Sequence, residues 1–228
     1  HSAAHVLAEA MLDLMPEAEL GIGPPIENGF YYDFRLPRPL TQEDLAWLEE
    51  RMRKSIAAKL PFRMEKITRQ EAEERWRNQP FKLDLLKDLG DDEITQVTHD
   101  GFTDLCKGGH VNHTGEIGPF KLTSIAGAYW RGDERNPMLQ RVYGILFETE
   151  EELEEYERRL EEARRRDHRR IGRELGIFAL FDEVGSGHVV WLPAGATIRR
   201  ELERWIVDLE VERGYQHVVT PPVAKLEL

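Results

Sequence analysis

The chain has 228 residues, enough for one large or two small domains with a buried core. Its formal net charge of -12 argues against nonspecific wrapping by nucleic acid, although a basic face on an acidic body stays compatible with it. A single cysteine excludes an internal disulfide, and no signal peptide or long apolar run is seen, so we expect a cytoplasmic protein without a membrane segment. The first residue is not methionine, and we therefore expect a fragment.

The first half of the chain predicts four helices and two strands. Apolar residues at helical spacing indicate a helix from Ser2 to Met15. The turn-rich segment Gly21 to Gly29 is followed by a strand-like run, Phe30 to Phe34. Thr41, followed by acidic residues, is typical of a helix N-cap, and this helix is expected to end near Leu60. Further predicted elements are a strand at Phe62 to Thr68, a polar helix at Arg69 to Asn78 and a helix that opens at Pro80.

The middle of the chain is rich in β-forming residues. The candidate strands are Ile94 to His99, Phe102 to Leu105, Phe120 to Ala126 and Met138 to Phe147. Strands and helices do not alternate as βαβ units, so the pattern favours an α+β fold with a mainly antiparallel sheet and flanking helices.

The composition changes after Phe147. From Glu148 to Glu174 the chain is almost all Glu and Arg, with acidic residues first and arginines last, which predicts one long solvated helix of the kind that connects domains. The remaining predictions are turns at 185–187 and 193–195, an amphipathic helix from Thr197 to Arg213 and a strand from Tyr215 to Thr220 that Pro221 and Pro222 end.

Two pairs of potential ligands stand four residues apart. His1 and His5 would share one face of a helix, and Cys106 is followed by His110. Together they offer three nitrogens and one sulfur, a set that suits tetrahedral zinc. The competing interpretation is that the histidines are hydrogen-bonded surface residues and that the cysteine is a small buried apolar residue. Lys82 is either a partly buried lysine or one whose stem packs while its amine reaches water.

Several longer stretches resemble bacterial threonyl-tRNA synthetases. They are HSAAH at 1–5, GIGPPIENGFYYDF at 21–34, DGFTDLCKGGHV at 100–111, KLTSIAGAYWRGDERNPMLQRVY at 121–143, RDHRRIGREL at 166–175 and WLPAGATIRRELE at 191–203. The resemblance implies an editing domain at 1–147, a linker helix at 148–170 and, at 171–228, the truncated start of a class II catalytic domain. Residues from Thr197 to Pro221 match class II motif 1, which in the family helps to form a homodimer.

The resemblance also implies a function. The parent enzyme attaches threonine to tRNA(Thr) with ATP, but the ATP-binding motifs and the catalytic zinc of the family are expected outside this fragment, which should not aminoacylate. What remains is post-transfer editing, the hydrolysis of tRNA(Thr) mischarged with serine. Serine lacks one methyl group of threonine, and a missing methyl costs a binding pocket only about 1 to 3 kcal/mol, so a second, smaller pocket is needed to remove the error.

The family match places the following residues in the editing pocket: His1, His5, Lys82, Asp104, Cys106 and His110. His1 or a neighbouring imidazole would orient or deprotonate the attacking water. Lys82 would stabilise negative charge on the ester oxygen, and Asp104 would accept a hydrogen bond from the ammonium or hydroxyl of the substrate. Cys106 would set the pocket size.

Two alternatives stay open. The fragment could be a tRNA-binding module without catalysis, or an aminoacyl ester hydrolase that depends on zinc held by His1, His5, Cys106 and His110. No cofactor is expected for editing itself. Candidate tRNA contacts are Arg131, Arg135, Arg141 and the cluster from Arg164 to Arg173. The chain also departs from the family at Cys106 to His110, which reads Cys-Lys-Gly-Gly-His where many members have Cys-Arg-Gly-Pro-His.

Overall fold

A computed structural model describes residues 1–91, 94–185 and 187–220. The chain divides into two compact units, His1–Glu157 and Arg158–Leu228, of which only the residues in these ranges are described.

The helices of the first unit begin where the sequence predicts them. They are α1 (Ser2–Leu14), α2 (Gln42–Ala57), α3 (Arg69–Arg75) and α4 (Pro80–Leu86). Thr41 and Asp44 form a capping box at the start of α2: the Thr41 hydroxyl accepts from the Asp44 amide at 3.2 Å, and the Asp44 carboxylate accepts from the Thr41 amide at 2.8 Å. This helix ends before the predicted Leu60, because Lys59 adopts a left-handed φ of 54° that a helix cannot contain.

Eight strands of the first unit form two antiparallel sheets. The strands are β1 (Glu19–Leu20), β2 (Pro25–Ile26), β3 (Gly29–Arg35), β4 (Arg63–Lys66), β5 (Thr95–His99), β6 (Phe102–Leu105), β7 (Phe120–Tyr129) and β8 (Met138–Leu146). The larger sheet has the order β1-β3-β8-β7, with β2 paired to β3, and the smaller one has the order β4-β5-β6. Every pairing is antiparallel, as predicted for the α+β class.

The core of the first unit lies between α1, α2 and the larger sheet. Alternate residues of β3 (Phe30, Tyr32 and Phe34) point to one side and are buried, as expected of a strand with one face on a core. Val6 and Leu7 of α1 are also buried in this cluster. The start of α1 is therefore fixed against the sheet, and this placement positions the site described below.

The charged segment at 148–174 forms two helices rather than one. Helix α5 (Glu150–Arg165) is followed by α6 (His168–Glu174), so the predicted single helix from Glu148 to Glu174 is wrong, whereas the assignment of 148–170 as a linker stays a prediction. The break has a local cause: Asp167 accepts a hydrogen bond from the Arg169 amide and caps a new helix.

The second unit also contains a short hairpin and a long helix. The hairpin, β9 (Phe178–Leu180) with β10 (Val189–Trp191), was not predicted. The helix, α7 (Pro193–Glu212), begins with proline at its first position, so the predicted turn at 193–195 is wrong, because proline is well suited to the first helical turn. It is followed by Gly214, whose φ of 87° favours glycine.

The strand predicted at 215–220 is also wrong. These residues form no regular element, and within the described part of the chain no strand pairs with them. Val218 and Val219 are 82% and 100% exposed, so their β-forming character has no neighbouring strand to support it. The prolines predicted to end this strand, Pro221 and Pro222, lie outside the described residues. The class II core therefore stays an expectation.

Candidate active site

The first turn of α1 and the loop after β6 meet at a cavity of about 400 Å³. His1 is the N-cap residue of α1, and His5 lies one turn further on the same face. The cavity is lined by residues from α1, the β2 hairpin, α4 and β6 with its loop: His1, His5, Ile22, Gly23, Pro24, Pro25, Lys82, Leu85, Asp104, Leu105, Cys106 and Lys107. Five of the six predicted site residues thus line one cavity although they are far apart in sequence.

The sixth residue, His110, packs against this wall with the other imidazoles. Its Nε2 lies 3.2 Å from the Cys106 Sγ, which is 3.6 Å from His1 Nε2. The His110 ring is stacked on His1 with centroids 4.5 Å apart and lies edge-on to His5 at 4.3 Å. The predicted ligand atoms of His1, His5, Cys106 and His110 all lie within 4.8 Å of one another.

Two glycines shape the loop that carries the thiol. Gly108 and Gly109 have φ angles of 93° and 83°, a region that residues with a side chain rarely adopt. The Gly108 amide donates to Cys106 Sγ at 3.3 Å, so the loop folds back over the sulfur. The two glycines thus allow a defined backbone turn at this loop.

A second group of polar side chains is buried on the other side of the cavity. Lys82 Nζ lies 2.5 Å from Asp104 Oδ1 and donates to the Tyr32 hydroxyl at 2.9 Å. Tyr32 in turn donates to Asp104 Oδ2 at 2.6 Å. All three residues are at most 2% exposed. Lys82 is therefore the buried, ion-paired lysine of the two alternatives left open by the sequence.

Burial favours the neutral form of four groups in and beside the cavity: His5, His110, Cys106 and Tyr32. Burial lowers the pKa of His110 to about 4. Burial, and then the neighbouring His110 and Lys82, lower the pKa of His5 well below its ordinary value. Burial raises the pKa of the Cys106 thiol, and burial together with Asp104 raises the pKa of Tyr32. At pH 7 His5 and His110 are thus free bases, and the thiol and phenol keep their protons.

The cluster of three imidazoles and one thiol fits the donor preference of zinc. Adjacent ligands of a tetrahedral zinc ion lie about 3.3 to 3.8 Å apart. The two sulfur distances, 3.2 and 3.6 Å, are close to this range, whereas the four ligand atoms as a set are within 4.8 Å of one another, a wider spread than a closed tetrahedral site has. The buried Nδ1 of His5 has no hydrogen-bond partner in the described chain, so a nitrogen is available. His110 Nδ1 faces the Ser2 hydroxyl at 3.1 Å, the type of outer contact that orients a metal-binding imidazole.

Sequence reasoning did not single out Tyr32 or Ser2. Ser2 accepts from the Val111 amide at 3.2 Å as well as facing His110, so its hydroxyl ties α1 to the loop. Neither residue has a sequence signal of its own, since an aromatic residue in an alternating strand indicates core and a serine after a helix N-cap is common.

The arginines predicted as tRNA contacts in the first unit are already paired with acids. Arg141 makes a bidentate ion pair with Asp33 at 2.7 and 2.8 Å. The others pair as follows: Arg131 with Asp84 and Asp88, and Arg135 with Asp133. Their positive charge is locally offset, which weakens the case for nonspecific phosphate contacts here.

Comparison with known proteins finds one matching family model and, among the relatives, threonine-tRNA ligases. Residues 94–143 match the family model described as the Threonyl and Alanyl tRNA synthetase second additional domain. The chain is 52% identical over its whole length to the threonine-tRNA ligase of Dehalococcoides mccartyi strain CBDB1 and spans 39% of that protein. It is 48% identical to the threonine-tRNA ligase of Anoxybacillus flavithermus over all of this chain and 36% of the relative. No described helix is long and apolar enough to cross a bilayer.

Proposed function

We propose that this chain, which belongs with the threonine-tRNA ligases at about 50% identity over its whole length, edits mischarged tRNA. The reaction is hydrolysis of the ester between serine and tRNA(Thr), which releases serine and free tRNA(Thr). The observation that carries the proposal is the cavity at which imidazoles, a thiol and a buried lysine converge. Part of this cavity is built by residues that match the second additional domain.

The need for such a site follows from the small difference between the two amino acids. A synthetic pocket that accepts threonine also admits serine, because the missing methyl group costs only about 1 to 3 kcal/mol of binding. A hydrolytic pocket too small for the methyl group removes this error. Cys106 contributes a small, protonated side chain to the wall and so sets the size of the pocket.

Water is the nucleophile in this proposal. His1, which is partly exposed at the cavity, orients and deprotonates the water. The low pKa of His110 makes it a weak base, so we assign it to holding His1 and Cys106 in place. A covalent step at Cys106 is disfavoured because burial raises the pKa of its thiol, and the thiolate is the reactive form.

Lys82 stabilises the negative charge that develops on the ester oxygen. Its ammonium has three N–H groups, and in the described chain two of them go to Asp104 and Tyr32. The third is available for a substrate oxygen in the cavity that Lys82 lines. Asp104 holds Lys82 and Tyr32, and Oδ2 lies 4.0 Å from His5 Nε2, where it accepts from the substrate ammonium or hydroxyl.

A zinc-dependent ester hydrolase is the second candidate, and the fit of His1, His5, Cys106 and His110 to the metal favours it. Zinc held by these four side chains would supply a Lewis acid for the ester carbonyl. Lys82, still bound to Tyr32, would keep the same position and the same role toward the substrate in either case.

The parent protein is a proposal as well, since the chain spans only 39% of its relatives. We propose that the whole enzyme attaches threonine to tRNA(Thr) with ATP, works in the cytoplasm and forms a homodimer through the region of α7. In that setting ATP and the catalytic zinc bind outside the present chain.

The test is deacylation of tRNA(Thr) charged with serine or with threonine, with and without chelator. We expect release of serine in preference to threonine, no effect of chelator and loss of activity in Lys82→Ala. The matched control is Lys87→Ala at the C-terminal end of α4, the helix that contains Lys82. Lys87 is exposed and pairs with Asp84. Chelator sensitivity would favour the zinc-dependent enzyme. Binding of tRNA(Thr) without hydrolysis of either ester would favour a binding module and contradict the proposal.

A further inference from the structure

Helix α1 carries a buried acidic residue, Glu9, that the proposed reaction does not use. Glu9 lies one turn beyond His5 on the same face of the helix and is 6% exposed. Its carboxylate accepts from the Ser55 hydroxyl at 2.7 Å and from Arg51 at 3.2 Å. It also lies 3.3 Å from His99 Nε2.

Glu9 is ionised at neutral pH. Burial opposes its ionisation, but hydrogen bonds from His99 and Ser55 outweigh this and lower the pKa of Glu9 below its ordinary value. A carboxylate can only accept, so His99 Nε2 carries its proton and donates it to Glu9. The orientation of the His99 ring is thereby fixed by a residue on α1.

His99 in turn contacts the two aromatic rings that support the site histidines. Its ring lies 4.8 Å from Phe62 and 5.3 Å from Phe102. Phe62 is stacked on His110 with centroids 4.8 Å apart and an interplanar angle of 17°. Phe102 meets His5 edge-on at 6.0 Å. A continuous series of contacts therefore joins Glu9 to two imidazoles of the cavity.

We propose that Glu9 and His99 are positioning residues that set the ring orientation of His5 and His110 through Phe102 and Phe62. The role in catalysis rests on the proposed editing function, whereas the role in orienting the rings does not. A buried ionised carboxylate is costly unless it is fully hydrogen-bonded, and a plain apolar contact would hold α1 on the sheet equally well. What the polar pair adds is direction, because a hydrogen bond fixes the plane of a ring and apolar packing alone does not.

The test compares Glu9→Leu with Glu9→Gln and Asp13→Asn in the 228-residue chain. Leucine removes every acceptor, whereas glutamine keeps one and should rescue the site. Asp13→Asn is the matched control: Asp13 is one turn further along α1 and also pairs with Arg51, at 2.6 Å, but it does not contact His99. The readouts are the ¹⁵N resonances of the His5 and His110 rings, the kcat and KM for seryl-tRNA(Thr) and the thermal unfolding midpoint.

We expect Glu9→Leu to shift both pairs of ring resonances and to lower kcat by about tenfold or more with little change in KM, since small misplacements of catalytic groups are costly. Glu9→Gln and Asp13→Asn should stay within about threefold of wild type. If Glu9→Leu does not fold, His99→Phe serves instead, because it keeps a ring against Phe62 and Phe102 but loses the hydrogen bond to Glu9.

Unmoved His5 and His110 resonances in a folded variant would overturn the inference. A fall in kcat that Asp13→Asn reproduces would also overturn it, because the effect would then come from Arg51 or general stability. If the wild-type chain releases no serine, the editing proposal fails, and the resonances alone decide whether Glu9 and His99 orient the rings.

Discussion

Charged side chains are arranged in opposite ways in the cavity and in the helices α5 and α6. In the cavity, Lys82 and Asp104 are buried and share Tyr32 as a third partner. In the helices, Arg170 and Glu174 pair at 2.7 Å across one helical turn with about three fifths of each side chain exposed. The buried pair has given up its hydration and depends on its partners, whereas the exposed pair exchanges one solvated state for another. Two ion pairs with similar N–O distances therefore contribute very differently to the free energy of unfolding.

The largest effect is expected from breaking the buried pair. Lys82→Met keeps the length of the side chain but leaves Asp104 as an uncompensated buried charge, so we expect a loss of about 3 to 5 kcal/mol in the free energy of unfolding. Urea unfolding at pH 7 measures it, with Lys87→Met as the exposed control. A variant as stable as wild type would show that the cavity is more hydrated than the contacts indicate.

Removing the shared hydroxyl should have the next largest effect. Tyr32→Phe keeps the buried ring but takes one partner from Lys82 and one from Asp104, which we expect to cost about 1 to 3 kcal/mol of stability and to lower kcat for serine release. Tyr31→Phe, which alters the opposite face of the same strand, is the control. Equal effects of the two substitutions on kcat would argue against a specific role of Tyr32 in the cavity.

Acid should weaken the buried hydrogen bonds around Glu9. The pKa of Glu9 in the folded protein is below the ordinary value of 4.5, so between these pKa values the unfolded chain binds more protons. The stability that Glu9 contributes is therefore complete above about pH 4.5 and is lost as the pH falls toward its folded pKa. Unfolding midpoints from pH 7 to pH 3 should fall less steeply in Glu9→Gln than in wild type. Parallel curves would contradict the assignment.

The smallest effect is expected in α6. Arg170→Ala removes a solvated ion pair, whose loss water largely compensates, so the unfolding midpoint should stay within measurement error of wild type. The same measurement in low and high salt sharpens the comparison, because only exposed pairs are strongly screened. A drop as large as that of Tyr32→Phe would show that exposed pairs in this chain stabilise it cooperatively.

The sequence predicted that the site residues lie close together, but it did not predict the hydrogen bonds that connect them. The spacing of His1 and His5 indicated a shared helix face, and the family resemblance brought Lys82, Asp104 and Cys106 to the same pocket. Tyr32 escaped notice because its position in β3 indicates core, and only partners 50 and 72 residues away give its hydroxyl a role. Contacts between elements so distant in sequence leave no local pattern to detect.

The prediction of the fold has the same limit in the last third of the chain. Periodicity located most elements of the first unit to within a few residues, because most of them have a buried face; β4 was located although all four of its residues are exposed. The prediction failed at two later places: Asp167 interrupts a charged helix through a local cap, and residues 215–220 look like a strand only by composition. Composition reports what a segment could form, whereas pairing decides what it does form.

The left-handed glycine at position 109 also limits how this loop can be exchanged between relatives. A proline ring fixes φ near −65°, so the proline that the family resemblance leads one to expect at this position could not adopt the 83° of Gly109. Exchange between the Cys-Lys-Gly-Gly-His and Cys-Arg-Gly-Pro-His sequences therefore requires a different backbone conformation at residue 109. Grafting a Cys-Arg-Gly-Pro-His loop onto this scaffold should require the whole loop and its flanking contacts to be moved as one block.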